Sequence, residues 1–445
     1  MFDTICAIST AQGIGGIAVI RVSGSNAISI VDQLFVGKSK LCQAKGYTAH
    51  YGSLADIDDV VATVFRAPLS FTGEDVVEIS CHGSVYIQQQ LLTRLLAAGC
   101  RLARAGEFTE RAFLNGRIDL SQAEAVADLI AAQTRAAHDL ALNHLRGGVS
   151  NELTTLREKL LEFTSLIELE LDFADHEDLE FVDRSELMSL AAHIENRLTT
   201  LLQSFRLGNA MKNGVQVAIV GATNAGKSTL LNALVGEERA IVSDIAGTTR
   251  DTIEDTIVID DILFRFIDTA GIRQTQNTIE ALGIERSRRA VEKADIVLLV
   301  KDVTQTPEHT LELPLEGKEL ITIYNKIDKL NANAISQLLQ TDSKALCISA
   351  KNGDMTELKT ALLNRVRTAS SEQDAVMISN VRHRDAIEKA LIAIKNVVQG
   401  LKDDLSGELL SIDLRDCLNA LGEITGQITS QEVLNNIFSK FCIGK

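Results

Sequence analysis

The sequence contains no tryptophan, and aromatic residues make up only 4% of its 445 positions. A stacked aromatic platform for nucleic-acid bases is therefore not expected. Three prolines stand against 29 glycines, which excludes collagen-like and proline-rich architectures. Seven cysteines (Cys6, Cys42, Cys81, Cys100, Cys347, Cys417 and Cys442) are scattered without a Cys-x-x-Cys pair. That pattern disfavours structural zinc and suggests free thiols in a reducing compartment. The first basic residue is Arg21, and no apolar stretch approaches the roughly 18 residues of a spanning helix. Neither a signal peptide nor a membrane span is expected, and the chain reads as cytoplasmic. Basic charge is scarce as well: 44 Lys and Arg face 60 Asp and Glu, a net of −16. Taken alone, this argues against nucleic acid as a charge-driven partner. The excess is uneven, however. Glu162 to Glu186 holds ten acids and one arginine, more than half of the total imbalance.

What is present points to a multidomain globular chain. The length suggests about three domains, and 45% hydrophobic residues suffice for sizeable cores. Residues 1–117 mix short β-rich runs with glycine turns. Gly16–Ser23, Val60–Phe65 and Val76–Ser80 read as strands, and Ile87–Ala98 as a helix. Residues 118–210 have a different texture, with no Gly or Pro between Gly148 and Gly208. Leu153, Leu156, Leu160, Phe163, Ile167 and Leu171 recur at helical spacing, so long amphipathic helices are expected, with a break at the acidic cluster. Residues 211–370 alternate strands (Val215–Val220, Ile262–Ile267, Asp295–Val300, Leu320–Tyr324, Ala345–Ile348) with helices. That rhythm predicts a mostly parallel sheet covered on both faces. After a polar linker (Thr368–Asp374), residues 371–445 return to helix at Ala386–Leu401, Leu409–Leu421 and Ser430–Phe438. The simplest arrangement is an α/β domain (211–370) inserted into an all-α domain (118–210 plus 371–445), behind a separate α+β domain (1–117). Four independent units are the alternative.

Gly221-Ala-Thr-Asn-Ala-Gly-Lys-Ser228 follows a buried-type strand and precedes a helical run beginning at Thr229. This is the phosphate-loop pattern in its required context. Glycines let the backbone wrap phosphates, and successive N–H groups at a helix N-terminus favour anions. Lys227 is expected on the β and γ phosphates and the Ser228 hydroxyl on Mg²⁺. Asp268-Thr-Ala-Gly271 closes a later strand, with Asp268 expected to hold Mg²⁺ through water and Gly271 to meet the γ phosphate. Asn325-Lys-Ile-Asp328 ends another strand. An aspartate there accepts from both guanine N1–H and the exocyclic amine. A site built on such bonds rejects an analogue lacking them by roughly 10⁴–10⁵. Ser349-Ala-Lys351 fits the loop that packs on the base. In this order, the motifs specify GTP rather than ATP.

The position after the switch glycine, where Ras-like proteins carry a water-orienting glutamine, is Ile272. The segment Gly247-Thr-Thr-Arg-Asp251 lies between the phosphate loop and Asp268, where a switch loop belongs, and Thr249 is expected to close on Mg²⁺. Arg250 reads equally well as an arginine finger or as a surface residue on that loop.

These residues, together with Phe71-Thr-Gly-Glu-Asp75, Gly106-Glu-Phe-Thr-Glu-Arg-Ala-Phe-Leu-Asn115 and the terminal Phe441-Cys-Ile-Gly-Lys445, resemble the MnmE (TrmE) tRNA-modification GTPases over essentially the whole chain. The resemblance implies an α/β P-loop GTPase domain inserted into an all-α helical domain, preceded by an α+β N-terminal folate-binding-type domain that also dimerises. It implies G domains activated by pairing across their nucleotide faces, with K⁺ in place of an arginine finger. Asn224, the carbonyls of Ser243 and Ile245, and Thr248 match the K⁺ cage. Glu280 matches the water-orienting glutamate. Arg21, Glu78, Arg117 and Lys445 match the tetrahydrofolate contacts. The tail is expected to reach that site, with Cys442 as a participant in the modification. Taken without the resemblance, Glu280 reads as an exposed acid at a helix start, and Arg21 and Glu78 as strand-face ions.

Three positions depart from the family's pattern. Thr223 replaces a usual Pro in the phosphate loop, Arg117 a usual Lys, and Ala174 a common helix-breaking Pro. The implied function is GTP hydrolysis coupled to wobble-uridine modification in certain tRNAs. A homodimer would pair with an FAD-binding, MnmG-like subunit in a heterotetramer, adding a carboxymethylaminomethyl-type group at C5. The one-carbon unit would come from 5,10-methylene-tetrahydrofolate, for which 5-formyl-tetrahydrofolate is an analogue. Two rivals stand beside it: an Era- or Der-like regulatory GTPase of ribosome assembly, and a folate-dependent one-carbon transferase with a regulatory GTPase insert. Arg94, Arg101, Arg104, Arg111 and Arg117 face only Glu107 and Glu110 between residues 94 and 117. That stretch is expected to offer local basic surface for tRNA, with weak, salt-sensitive binding by the chain alone.

Overall fold

The computed structural model describes residues 3–11, 13–172, 184–237, 255–267, 288–305, 314–367, 376–441 and 444. The chain divides into two compact units, one of Met1–Ala127, His144–Asp183 and Lys402–Lys445, the other of Asp128–Asn143 and Arg184–Leu401. The helical region contributes to both.

The first unit opens on strands β1 (Ile5–Ile8), β2 (Gly15–Ser23), β3 (Phe35–Gly37), β4 (Thr48–Leu54), β5 (Asp58–Phe65), β6 (Val76–Gly83) and β7 (Arg101–Leu102). They form one sheet in the order β3-β4-β5-β6-β2-β1-β7, antiparallel except for the β1–β7 pair. Along β5 the buried positions Val60, Ala62 and Val64 alternate with more exposed ones, the period-two pattern of a sheet with one covered face. Helices α1 (Ala27–Leu34) and α2 (Val85–Ala97) supply the cover. Val31, Leu91 and Leu95 join Ile20, Val22, Ala62 and Ile79 in one core. The three strands expected here are present, with β6 running to Gly83. Strands β1, β3, β4 and β7, and helix α1, were not expected.

Helices α3 (Glu107–Leu114), α4 (Leu120–Ala131), α5 (Arg135–Leu145), α6 (Gly148–Asp172) and α7 (Arg184–Asn213) follow. On α6, Leu153, Leu156, Leu160, Phe163 and Ile167 are buried along one stripe, as their spacing predicts. The expected break between α6 and α7, including Ala174, lies outside the described residues. The C-terminal helices are α11 (Val381–Lys402), α12 (Gly407–Thr425) and α13 (Gln431–Ser439). Helix α12 packs on α6, and Arg157 crosses between them to donate from Nη1 to the Leu418 carbonyl at 2.6 Å. It stops at Gly426, whose φ of +82 allows the N–H groups of Gly426 and Gln427 to turn back onto the Gly422 carbonyl. Ser430 caps α13, and Leu434, Phe438 and Phe441 pack against Leu120 and Ala123.

The second unit carries β8 (Val215–Gly221), α8 (Lys227–Glu237), β9 (Asp255–Ile259), β10 (Ile262–Phe266), β11 (Ile296–Asp302), β12 (Glu319–Asn325), α9 (Ala332–Thr341), β13 (Leu346–Ile348) and α10 (Thr356–Arg367). The sheet order is β13-β12-β11-β8-β10-β9, parallel apart from β9. Here β8 sits between β11 and β10, so the chain leaves it in opposite directions around the sheet. The crevice at its carboxyl end is where α/β sheets take ligands. The antiparallel β9–β10 hairpin was not expected. Its turn residues Asp260 and Asp261 have φ of +48 and +64, the two left-handed positions a tight hairpin needs.

One expectation is corrected. The arginines between 94 and 117 do not form a free basic surface, because three of the five are paired. Arg111, only 2% exposed, binds Asp3, Glu74 and Glu107. Arg101 binds Asp3 and Glu107, and Arg104 binds Glu107 and Glu110. Three guanidiniums thus meet four carboxylates, two of which come from outside the segment. The Asp3 carboxyl is held down at about 2, chiefly by its hydrogen bond from Arg101. Burial opposes the charge on Glu107, yet Arg101, the Arg104 N–H and Arg111 together lower it below the usual carboxylate value.

Candidate functional site

The loop Gly221–Ser228 leaves the end of β8 and enters α8. Its two end glycines are required by close approach. Gly221 has φ +150, and a Cβ there would strike the Val300 carbonyl of β11; Gly226 has φ +95, and a Cβ would strike Nδ2 of Asn325. Asn224 sits between them in the left-handed region at φ +64. The first turn of α8 holds Lys227, Ser228 and Thr229, and N–H groups there have no intrahelical acceptor. Lys227 folds back over the loop and donates from Nζ to the carbonyls of Gly221 and Ala222, both at 2.8 Å. Burial pulls its ammonium below the ordinary lysine value. A bare backbone cradle, a helix N-terminus and a half-buried ammonium together suit a polyphosphate.

The end of β12 closes on this loop. Asn325, 2% exposed, donates from Nδ2 to the Ala225 carbonyl at 2.9 Å. Its Oδ1 accepts from the N–H of Lys326 at 2.8 Å and of Ala350 at 3.0 Å. One amide therefore ties the phosphate loop, the β12 end and the loop after β13. Lys326, at φ +68, donates from Nζ to the Asn224 carbonyl at 2.7 Å and to Asp302 Oδ2 at 2.6 Å. Asp328 is exposed, and its Oδ1 accepts from Ser349 Oγ at 2.7 Å. That hydrogen bond, with the nearby charges of Lys351 and Lys329, holds the Asp328 carboxyl below the usual range. An ionised, outward-facing carboxylate is the acceptor that the N1–H and exocyclic amine of a guanine edge require.

Structure thus brings Asn224, Ala225, Gly226 and Lys227 together with Asn325, Lys326, Asp328, Ser349 and Ala350. Ser243, Asp244, Ile245, Ala246, Gly247, Thr248, Thr249, Arg250, Asp268, Thr269, Ala270, Gly271, Ile272 and Glu280 lie outside the described residues.

On the first unit's sheet, Arg21 and Glu78 are direct cross-strand partners on β2 and β6, bonded Nε to Oε1 at 2.9 Å. They share the sheet's outer face with Ile17, Tyr51 and Val61, all exposed. The Arg21 guanidinium lies 5.6 Å from the Phe71 ring centre and 5.5 Å from that of Phe108. The aliphatic part of Arg117 borders Gly73, two residues from Phe71. At the C-terminus, Gly444 has φ +94, and a Cβ on it would strike the Ile8 carbonyl at the end of β1. Ala7, the neighbour of Ile8, is the register partner of Arg21. Cys442 and Lys445 lie outside the described residues.

Some contributors were missed from sequence. Phe71 stands out only once the ring is seen over Arg21. Glu74, which accepts from Ser23 Oγ at 2.7 Å and pairs with Arg111, fixes the same loop. Asp302 carried one faint signal, an aspartate closing a strand two residues before Thr304, whose N–H and Oγ both donate to it.

Comparison with known proteins agrees over the whole length. Residues 4–117 match the family model described as GTP-binding protein TrmE N-terminus, and residues 120–442 match the MnmE helical domain. The tRNA modification GTPase MnmE of Parabacteroides distasonis is 54% identical, with all of both chains covered. Proteins of that name from Bacteroides thetaiotaomicron and Porphyromonas gingivalis are 51% and 50% identical over all of this chain and 99% and 98% of theirs. The G domain of the T. maritima FeoB iron transporter superposes on 34% of this chain and 97% of its own at 25% identity, with a TM-score of only 0.25. On end-to-end identity and two family models, the chain belongs to the MnmE family of tRNA modification GTPases.

Proposed function

We propose that the chain hydrolyses GTP to drive a modification at C5 of the wobble uridine of certain tRNAs, using a tetrahydrofolate one-carbon donor. An FAD-binding, MnmG-like subunit shares the chemistry, and the product carries a carboxymethylaminomethyl-type group. The working form is a homodimer in a heterotetramer with that subunit. The observation that carries this reading is a pairing within one chain. A guanine-and-phosphate cradle is built on one sheet, and an Arg21–Glu78 pair, bordered by Phe71 and approached by the C-terminal tail, is built on another.

Each residue's part follows from its chemistry. Lys227 and the α8 N-terminus bind the β and γ phosphates, with Ser228 and Thr249 on Mg²⁺. Asp328 reads the base. Asn224, the carbonyls of Ser243 and Ile245, and Thr248 would hold K⁺, which would supply positive charge to the phosphates during hydrolysis. Asp268 and Gly271 complete the switch, and Glu280 orients the attacking water. Arg21 and Glu78 present a donor and an acceptor in one plane, as a pterin edge requires, while Arg117 and Lys445 suit the folate's carboxylates. Cys442 takes part at that site. The exposed Ile17, Tyr51 and Val61 give the outer sheet face the apolar character of a self-association surface.

Titration with 5-formyl-tetrahydrofolate tests the reading. Wild-type chain is expected to bind it, and Arg21→Ala to weaken binding by roughly tenfold or more, the worth of a charged hydrogen bond. No binding at high micromolar ligand by the wild type would return the protein to the Era- or Der-like class. Exchange of K⁺ for Na⁺ is expected to slow GTP turnover strongly, because the smaller ion does not span the Asn224 cage. Equal turnover in the two salts would remove K⁺ from the account.

A further inference from the structure

Asp302 closes β11, lies outside both loops that would meet the nucleotide, and yet holds the residue that joins them. Its side chain is 2% exposed and its Oδ2 lies 2.6 Å from Lys326 Nζ. Its other oxygen, Oδ1, accepts from the Thr304 N–H at 2.9 Å and from Thr304 Oγ1 at 2.7 Å, so the carboxylate is fixed from behind. Burial works against the charge, but these bonds from Lys326 and Thr304 hold the carboxyl at about 2. Lys326 Nζ continues to the Asn224 carbonyl at 2.7 Å. The two backbones joined in this way, Asn224 at φ +64 and Lys326 at φ +68, both occupy the left-handed region without being glycine. Such conformations persist where surrounding contacts enforce them. Asn325 makes the parallel link, from Nδ2 to the Ala225 carbonyl. Among the described residues, the Asp302–Lys326–Asn224 chain is therefore one of two struts between the base loop and the phosphate loop. It is the only one of the two that depends on an ion pair.

We propose that Asp302 is a positioning residue for Lys326, and that it sets how long a guanine nucleotide stays bound by keeping the base loop and the phosphate loop locked together. The inference rests on reading Asn325–Asp328 as the base loop, which Asp328→Asn tests separately. With Asp302 neutralised, Lys326 Nζ retains a single backbone acceptor, and the Asn224 backbone is free to relax from its left-handed conformation. The base is still read by Asp328, so preference for guanine over xanthine does not change.

The test is release of a fluorescent GDP analogue from the full chain. Asp302→Asn, close in shape, is expected to speed release roughly tenfold or more, the worth of a charged hydrogen bond. In a Lys326→Met background the same change is expected to add less than about twofold, since neighbours acting through one group are not additive. Lower thermal stability with unchanged release, or equal acceleration in both backgrounds, would make Asp302 a fold residue and overturn the proposal. Should Asp302→Asn fail to fold, Thr304→Val carries the test. It removes the Oγ1 bond that fixes the carboxylate and is expected to speed release by roughly threefold, whereas wild-type release from that variant would refute the role.

Discussion

Replacing Asp328 by Asn is expected to weaken GTP binding by roughly 10²–10⁴-fold and to raise affinity for xanthosine triphosphate. The carboxylate projects from the turn after β12 and is held by Ser349 Oγ at 2.7 Å through one oxygen. Guanine offers two donors on one edge, and two charge-assisted bonds of about 1.5–3 kcal/mol each account for that range. Asparagine keeps the shape but turns one acceptor into a donor, which meets the guanine exocyclic amine head-on. Xanthine carries a carbonyl where guanine has its amine, so the inverted pattern suits it. Paired titrations with GTP and xanthosine triphosphate measure the switch. Undiminished GTP affinity in the variant would refute base reading by Asp328. Because Ser349 keeps the carboxyl below its usual range, the preference for guanine is expected to hold across neutral pH and to fail only well into acid.

Gly226→Ala is expected to lower nucleotide affinity by roughly a hundredfold with a smaller loss of stability. The added methyl would meet Nδ2 of Asn325, and φ +95 is a backbone position L-residues rarely adopt. A side-chain tip usually moves aside, but this amide is 2% exposed and already makes three hydrogen bonds, to Ala225, Lys326 and Ala350. To accommodate the methyl, the loop must shift and break the strut to Ala225, a cost of about 3 kcal/mol from strain and one bond together. Gly221→Ala makes the contrast. There the collision is with the Val300 carbonyl, at a β8–β11 register pair, and it is expected to act on folding. Nucleotide titration and thermal unfolding on both variants separate the two effects. If Gly226→Ala bound GTP like the wild type, the amide would not be the rigid brace described here.

The G-domain motifs were legible because each ties its residues to a strand end, and apolar runs such as Val215–Val220 mark such strands unambiguously. Their mutual arrangement was not. Asn325 braces Ala225 from a hundred positions away, and Asp302 acquires a role only through a lysine just past the end of the neighbouring strand. The same limit explains the arginine stretch. Counted along the chain, residues 94–117 look basic. Folding brings in Asp3 and Glu74, buries Arg111 and pairs Arg101 and Arg104 with carboxylates. The β9–β10 hairpin escaped notice because its turn uses two aspartates at positive φ where glycine or asparagine is the usual signal. On the N-terminal sheet the reverse holds. Resemblance singled out Arg21 and Glu78, and the β2–β6 register supplies the physical reason for naming them together.

Coupling of this GTPase to tRNA modification is most directly tested by quantifying modified wobble uridine in tRNA from a strain lacking the chain. The deletion is expected to abolish the carboxymethylaminomethyl-type nucleoside, the wild-type chain to restore it, and Asp328→Asn to restore it poorly. Unchanged levels of that nucleoside in the deletion strain would contradict the account.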